Sequence, residues 1–363
     1  MKILLIGFTK IAYMPYMNFY LKQFANEDNE IHLLYWNRDG KDEIPIPDYV
    51  KLHEFNFFQE DEVAKIKKMT SFLKYREKAK KLLKNQIFDL VVVMHTLPGV
   101  LLYDVLVKYY HKKYILDYRD VTFESIGFYK KIIHKLVNRS VATFVSSDAF
   151  RVYLPLVDYI YTSHNILLES LNHRDVRCNE LREIKPIRIR YWGFIRHESI
   201  NKAIIKSLAN DNRFELHYHG REQETAFNLK RYCGENEIGN VFFHGEYKPE
   251  ERYEFARNTE IIHNLFDNDR TMQPAMANKY YDGLVFYIPQ LCNEGSFMGE
   301  QLTKSEIGIK CNPYDNSFSE DLFKYYNSIS WPDFIRNCDR EIDGILISYN
   351  KGQLALRNIV KDK

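Results

Sequence analysis

The stretch from Asn258 to Gln290, NTEIIHNLFDNDRTMQPAMANKYYDGLVFYIPQ, holds the densest set of residues with chemistry to offer. An apolar strand begins at Ile261 and Ile262 and breaks into a polar run from His263 to Gln273. A short helix follows, with Asn278 as the expected N-cap and Lys279, Tyr280, Tyr281 and Asp282 in its first turn. Free N–H groups and partial positive charge at a helix N-terminus favour phosphate, and an acid on the first turn can accept both hydroxyls of a ribose. A second cluster, RYWGFIRHESINK from Arg190 to Lys202, places Gly193 at a strand end, then Arg196, then Lys202 as a helix begins. Glycine admits close backbone approach, and fixed cations beside backbone N–H groups suit an anionic ligand. A third, YILDYRDVTFE from Tyr114 to Glu124, runs a strand into Asp117, Arg119 and Asp120. An acid there could take a proton from a bound hydroxyl, and Arg119 could orient that hydroxyl or hold an anionic group; an Asp–Arg ion pair that merely locks the strand end is the equal alternative. His95 closes the strand pattern VVVMHTLPG in the same way.

These groups need strands that end at one edge of a sheet. Apolar runs at Ile3 to Ile6, Ile31 to Tyr35, Leu90 to Met94, Tyr114 to Leu116 and Thr143 to Ser146 read as buried parallel strands, with helical spacing at Met14 to Phe24 and Gly99 to Tyr110 between them. A second series is expected at Ile187 to Tyr191, Phe214 to His219, Val241 to Phe243, Ile261 to Leu265, Val285 to Ile288 and Ile307 to Lys310. Asp333 to Val360 has the pattern of one long helix. The fold class is therefore α/β, two doubly wound Rossmann-like domains, with strand-end crevices as the ligand sites. Expected boundaries are 1–168, 185–345 and a terminal helix at 346–363.

Bulk properties bound the function. At 363 residues the chain exceeds one ordinary core. Its 51 basic and 49 acidic residues leave a net charge of +2, which gives no general case for nucleic acid. Five scattered cysteines form no Cys-x-x-Cys pair, so a reducing cytosol fits better than a disulfide framework or a zinc site. Positions 7 to 12 read GFTKIA, which is not a dinucleotide fingerprint, and P-loop, nucleophile-elbow and His-Glu-x-x-His motifs are missing. Asp267-Asn268-Asp269 is too short a pattern to argue for a metal, and none is expected. Two basic amphipathic stretches, Lys65 to Lys84 and residues 128–139, could lie as interfacial helices on an anionic membrane, with an ordinary solvated helix as the alternative. Residues 1–165 carry 24 basic and 19 acidic side chains, so the excess charge lies in the first half.

Asn-Lys-Tyr-Tyr-Asp-Gly-Leu, with Pro289 seven residues after Asp282, resembles the Pro-Asn-Lys-x-Tyr-Glu-Tyr-Leu…Gly-Lys-Pro segment of GT-B glycosyltransferases, the family-4-like enzymes of bacterial surface polysaccharide synthesis. SSDAF at 146–150, YTSHN at 161–165, ELHYHG at 215–220 and NVFFHGEY at 240–247 stand in the family's order. The resemblance implies two Rossmann-like domains facing a cleft, and metal-independent, retaining transfer from a UDP- or GDP-linked sugar to a glycan or lipid-linked glycan. By it, Asn278, Lys279, Arg196 and Lys202 would hold the diphosphate side of the donor and Asp282 the ribose. Gly193 and Gly245 would be backbone walls, Gly7 the acceptor-side loop, and His95, Arg119 and Asp120 the sugar and acceptor side. Asp282 is shorter than the usual glutamate, Gly283 and Tyr287 replace an aromatic and a turn glycine, and Pro274 stands where many relatives have a first acid. A nucleotide-sugar 2-epimerase or a degenerate, non-catalytic scaffold are the alternatives.

Overall fold

A computed structural model describes residues 1–26, 28–60, 65–176, 186–267 and 272–361. The chain divides into two compact units, Met1–Asn165 with Leu346–Lys363, and Ile166–Ile345. In the first, strands β1 (Lys2–Ile6), β2 (Glu30–Asn37), β3 (Val50–Asn56), β4 (Leu90–Met94), β5 (Tyr114–Tyr118), β6 (Ala142–Val145) and β7 (Ile160–Thr162) form one parallel sheet in the order β3-β2-β1-β4-β5-β6-β7. Every residue of β4 and β5 is buried, as expected of strands covered on both faces. The two edge strands β3 and β7 do not show as apolar runs. In β3 only Val50 is buried and the other positions are half-buried or exposed, and β7 has three residues.

The second unit carries β8 (Ile187–Trp192), β9 (Phe214–His219), β10 (Val241–Phe243), β11 (Ile261–Asn264), β12 (Gln290–Asn293) and β13 (Gly308–Cys311), all parallel, in the order β10-β9-β8-β11-β12-β13. In each sheet the order reverses beside the unit's first strand, between β1 and β4 and between β8 and β11. Crevices beyond the strand ends at such reversals are where open α/β sheets bind ligands.

The strand expected at Val285 to Ile288 is a correction. The helix Asn278–Val285 runs through that apolar stretch, and the next strand starts at Gln290. Ile288 N–H bonds to Gly283 O at 2.8 Å around Tyr287, whose φ of 54° is the left-handed turn that ends many helices. A short apolar run is compatible with either state, and here all but the first helical residue are buried. The expected helix at Met14 to Phe24 is also shorter: 3-10 turns at Ile11–Tyr13 and Pro15–Met17 precede the helix Asn18–Phe24. The terminal helix Trp331–Lys361 is continuous, and its final part packs on the first unit: Gln353 Nε2 donates to Phe19 O at 2.8 Å, and Tyr349 meets Phe19 edge-on at 5.0 Å.

Candidate functional site

Three glycines line the C-terminal edge of the second sheet. Gly193 N–H donates to His219 O at 2.9 Å, and Gly220 N–H to Gly245 O at 2.7 Å. A Cβ on Gly220 would stand 1.6 Å from Gly193 O, so the strand ends can close up only with glycine there. Beyond Gly193 the chain turns into the helix Glu198–Ser207. Buried Asn201 fixes that turn, donating from Nδ2 to Arg196 O at 2.7 Å and His197 O at 2.9 Å. Its Oδ1 accepts from His263 Nε2 at 2.9 Å, and His263 Nδ1 accepts Leu265 N–H at 3.1 Å, which sets the imidazole tautomer. Burial, then the charges of Lys279 and His197, hold His263 well below the usual histidine range. Arg196 is exposed, and among the described residues its guanidinium has no hydrogen-bond or ion-pair partner.

Lys279, on the first turn of the helix Asn278–Val285, is only 6% exposed. Its Nζ lies 3.4 Å from the Tyr191 ring centroid and 5.6 Å from that of Phe266, and no described carboxylate or hydrogen-bond acceptor pairs with it. Burial and then the charge of Arg196 push this amine well below the usual lysine range. Asp282 is engaged within the unit: Trp192 Nε1 donates to Oδ2 at 2.9 Å, and Arg252 Nη1 lies 3.6 Å from Oδ1. Gly283 leaves room for Gln290, whose side-chain nitrogen would lie 2.1 Å from a Cβ at that position.

Two expected donor residues sit differently. Ala277 is the N-cap and Asn278 the first, exposed helical residue, so Asn278 does not cap. Lys202 points across to Tyr232 on the helix Glu224–Glu235, with Nζ 4.4 Å from the ring centroid, and no contact joins it to Arg196 or Lys279. Asp267 closes the N-terminus of Glu198–Ser207, accepting from Ser199 Oγ and from Ile200 N–H at 3.0 Å, while Asn268 and Asp269 lie outside the described residues. Among the described residues no group of His, Cys, Asp and Glu is arranged to hold a metal.

In the first unit His95 follows β4 with φ 87°, a conformation rare outside glycine. Its Nδ1–H donates to Asp120 Oδ2 at 2.7 Å, so Nε2 accepts the hydroxyl hydrogen of Tyr16. Thr96 Oγ1 donates to Asp120 O at 2.8 Å and ties the two strand ends together. Arg119 is buried rather than open to a ligand. Its Nε meets Asp117 Oδ2 at 2.8 Å, the remaining nitrogens reach Asn165 and Ser163, and the guanidinium carbon sits 3.8 Å from the Tyr16 ring centroid. The ion-pair alternative for Asp117 and Arg119 thus describes the geometry, and Arg119 also meets the ring of Tyr16, whose hydroxyl bonds to His95. Gly7 is buried, and a Cβ there would lie 2.4 Å from Met14 Sδ, so packing alone accounts for glycine.

No protein-family model matches the sequence, and no curated protein matches it. The structure is similar to sucrose-phosphate synthase from Thermosynechococcus elongatus, with TM-score 0.76 and 12% identity over 100% of both chains. It is similar to a UDP-forming trehalose-phosphate synthase from Burkholderia xenovorans, with TM-score 0.66 and 10% identity over 99% of this chain and 100% of that one. Anabaena HepE in complex with UDP matches with TM-score 0.63 and 10% identity over 100% and 99%. This chain has the GT-B fold. At such identities the likeness carries the two-sheet GT-B architecture and leaves the reaction to be argued from the residues.

Within this GT-B chain the sequence reading passed over Gly220, Asn201, Trp192, Arg252 and Tyr16. Gly220 had a signal, since HYHG repeats the strand-then-glycine pattern of YWG and FFHG. The other four become visible only as contacts between segments. A further cluster surrounds a cleft of about 280 Å³ lined by Arg190, His219, His244, Gly245 and Tyr247. His244 stacks on His219 at 4.1 Å, His217 Nδ1 lies 3.1 Å from His244 Nε2, and Arg190 Nη1 donates to His219 Nε2 at 2.7 Å. Burial and the neighbouring cations and imidazoles push His217 and His219 down to about 3. Both are neutral in the folded chain and charge on unfolding, so stability is full above about pH 6.5 and falls as pH drops towards their folded values. At pH 5 the loss is on the order of 2 kcal/mol for each. The second unit's thermal midpoint is therefore expected to drop between pH 8 and 5, and to drop less in His217→Phe; equal slopes would remove His217 from the account.

Proposed function

We propose that this chain is a glycosyltransferase that moves a sugar from a UDP- or GDP-linked donor to a growing, lipid-linked surface glycan, in the manner of the family-4-like enzymes. The observation that carries the reading is Lys279: a buried amine that pairs with no acid among the described residues, against the ring of Tyr191 on the strand that runs into Gly193, and under the charge of Arg196, which likewise has no partner among the described residues. A diphosphate supplies the missing anion. As the glycosidic bond breaks, the leaving nucleotide gains charge, and Lys279 and Arg196 stabilise it without a metal. On the acceptor side Asp120 takes the hydroxyl proton, while Asp120 and Tyr16 hold His95 in one tautomer towards the sugar. Retention of anomeric configuration comes from the family resemblance. A nucleotide titrated calorimetrically should bind, as either UDP or GDP, and weaken with Arg196→Ala; no binding of either would sink the donor assignment.

The engagement of Asp282 by Trp192 and Arg252 favours a second reading, a nucleotide-binding protein that does not turn over. Turnover separates the readings, because a 2-epimerase changes the donor without acceptor and a scaffold changes nothing. With a donor in hand, Asp120→Asn is expected to lower kcat by at least about tenfold at unchanged nucleotide affinity. Its side chain is mostly exposed, so the midpoint should stay within a degree or so.

A further inference from the structure

We propose that the outward face of the helix Gly127–Arg139 docks the first unit on an anionic lipid surface. Ile133, Leu136 and Val137 bury one side of this helix. The opposite arc exposes Phe128, Lys131, Lys135 and Arg139, and with half-buried Lys130 and His134 these cations line a shallow depression of about 550 Å³. From Ser125 to Ser147 the chain has no Asp or Glu. Among the described residues no carboxylate pairs with any of these four Lys and Arg side chains; Arg139 Nη1 meets only His111 Nε2, at 3.3 Å, and Lys135 stands over Tyr103.

A one-signed face suits any anion, but its apolar rim selects the source. Phe123, Ile126 and Phe128 are 49%, 55% and 74% exposed at the helix's entry, next to the cations. Soluble anions have no use for exposed rings, whereas a bilayer takes apolar side chains below its headgroups and cations at their level. The other basic stretch is unlike this one. On the helix Lys65–Asn85, Arg76 and Lys80 both reach Asp104 at 3.0 Å, and Lys74 covers the Phe57 ring. Net charge there is partly spent inside the unit.

The inference rests on the reading of an acceptor carried at a membrane, and it names the surface that brings the protein there. The full chain is incubated with vesicles of phosphatidylcholine alone, or of equal parts phosphatidylcholine and phosphatidylglycerol, and bound protein is separated by flotation. Binding to the anionic vesicles only, weakened by salt, is expected. Lys131→Glu with Lys135→Glu and Arg139→Glu should weaken it on the order of a hundredfold or more, and Phe128→Ser by a smaller factor. The milder Lys131→Gln with Lys135→Gln keeps the test open should the triple variant fold poorly. No vesicle binding, equal binding to both compositions, or unchanged binding by the charge variants would overturn the inference. Charge dependence with full indifference to Phe128→Ser would also overturn it, in favour of a soluble polyanion. Calorimetry with UDP and GDP on the same samples reports on the second unit, so failure here and failure of the transferase reading are seen separately.

Discussion

Lys279→Met is expected to raise the second unit's thermal midpoint and, in the same protein, to weaken nucleotide binding by roughly 10- to 100-fold. Both effects come from one fact: the amine is buried among Tyr191 and Phe266 and pairs with no acid among the described residues. Without ligand, the site bears the cost of an ammonium shielded from water, offset only by the ring face, or the cost of deprotonating it. Methionine has similar length, keeps contact with the rings through its sulfur, and removes that cost, so a gain of about 1 kcal/mol or more is expected. With a diphosphate bound, the same ammonium becomes a charge-assisted donor in a dry setting, which methionine cannot replace. The wild-type amine, held low by burial and Arg196, binds fewer protons folded than unfolded. Its contribution to stability therefore improves as pH rises towards the ordinary lysine value, and Lys279→Met should remove that part of the alkaline slope. Unfolding scans with and without nucleotide would decide it. A variant that loses stability and keeps its affinity would make Lys279 a packing residue.

Asp282→Ala is expected to cost the second unit about 3–5 kcal/mol, because it leaves the Arg252 guanidinium buried without its counter-charge and the Trp192 indole N–H without an acceptor. For a unit of this size that is a fall of roughly 10 °C in midpoint. Asp282→Asn keeps an oxygen for Trp192 and loses the charge facing Arg252, so it should fall in between. A carboxylate that served only a ribose would behave otherwise, with stability unchanged and nucleotide affinity lost. Measuring both quantities on both variants separates the tether from the ligand role. A midpoint within a degree of wild type in Asp282→Ala would remove the tether.

Much of the GT-B architecture was legible along the chain because parallel strands covered on both faces are rich in apolar residues: β4 is apolar throughout and β1 is apolar after Lys2, while β5, β8, β9 and β11 keep apolar cores around polar residues such as Asp117, Arg190, His217 and His263. Edge strands escape this rule, as β3 does with its exposed Lys51 and Glu54, and so does an apolar helix end such as Leu284 to Phe286, which looks like a strand until its turn is seen. Residue types and strand-end positions were also enough to nominate Gly193, Arg196, Lys279 and His95. What they could not say is which charges are already spent. Arg119 and Asp282 carry the same kinds of groups as Arg196 and Asp120, yet Arg119 is neutralised by Asp117 and Asp282 by Arg252, and both are buried. Among the described residues no acid pairs with Arg196 or Lys279. Sequence alone determined where most of the inner strands lie and which chemistries gather at their ends, though not β3, β7 or β12, since those features follow from local pattern. The tertiary structure alone decided which of those groups are left for a ligand, because Coulomb attraction and burial depend on distances between segments far apart in the chain.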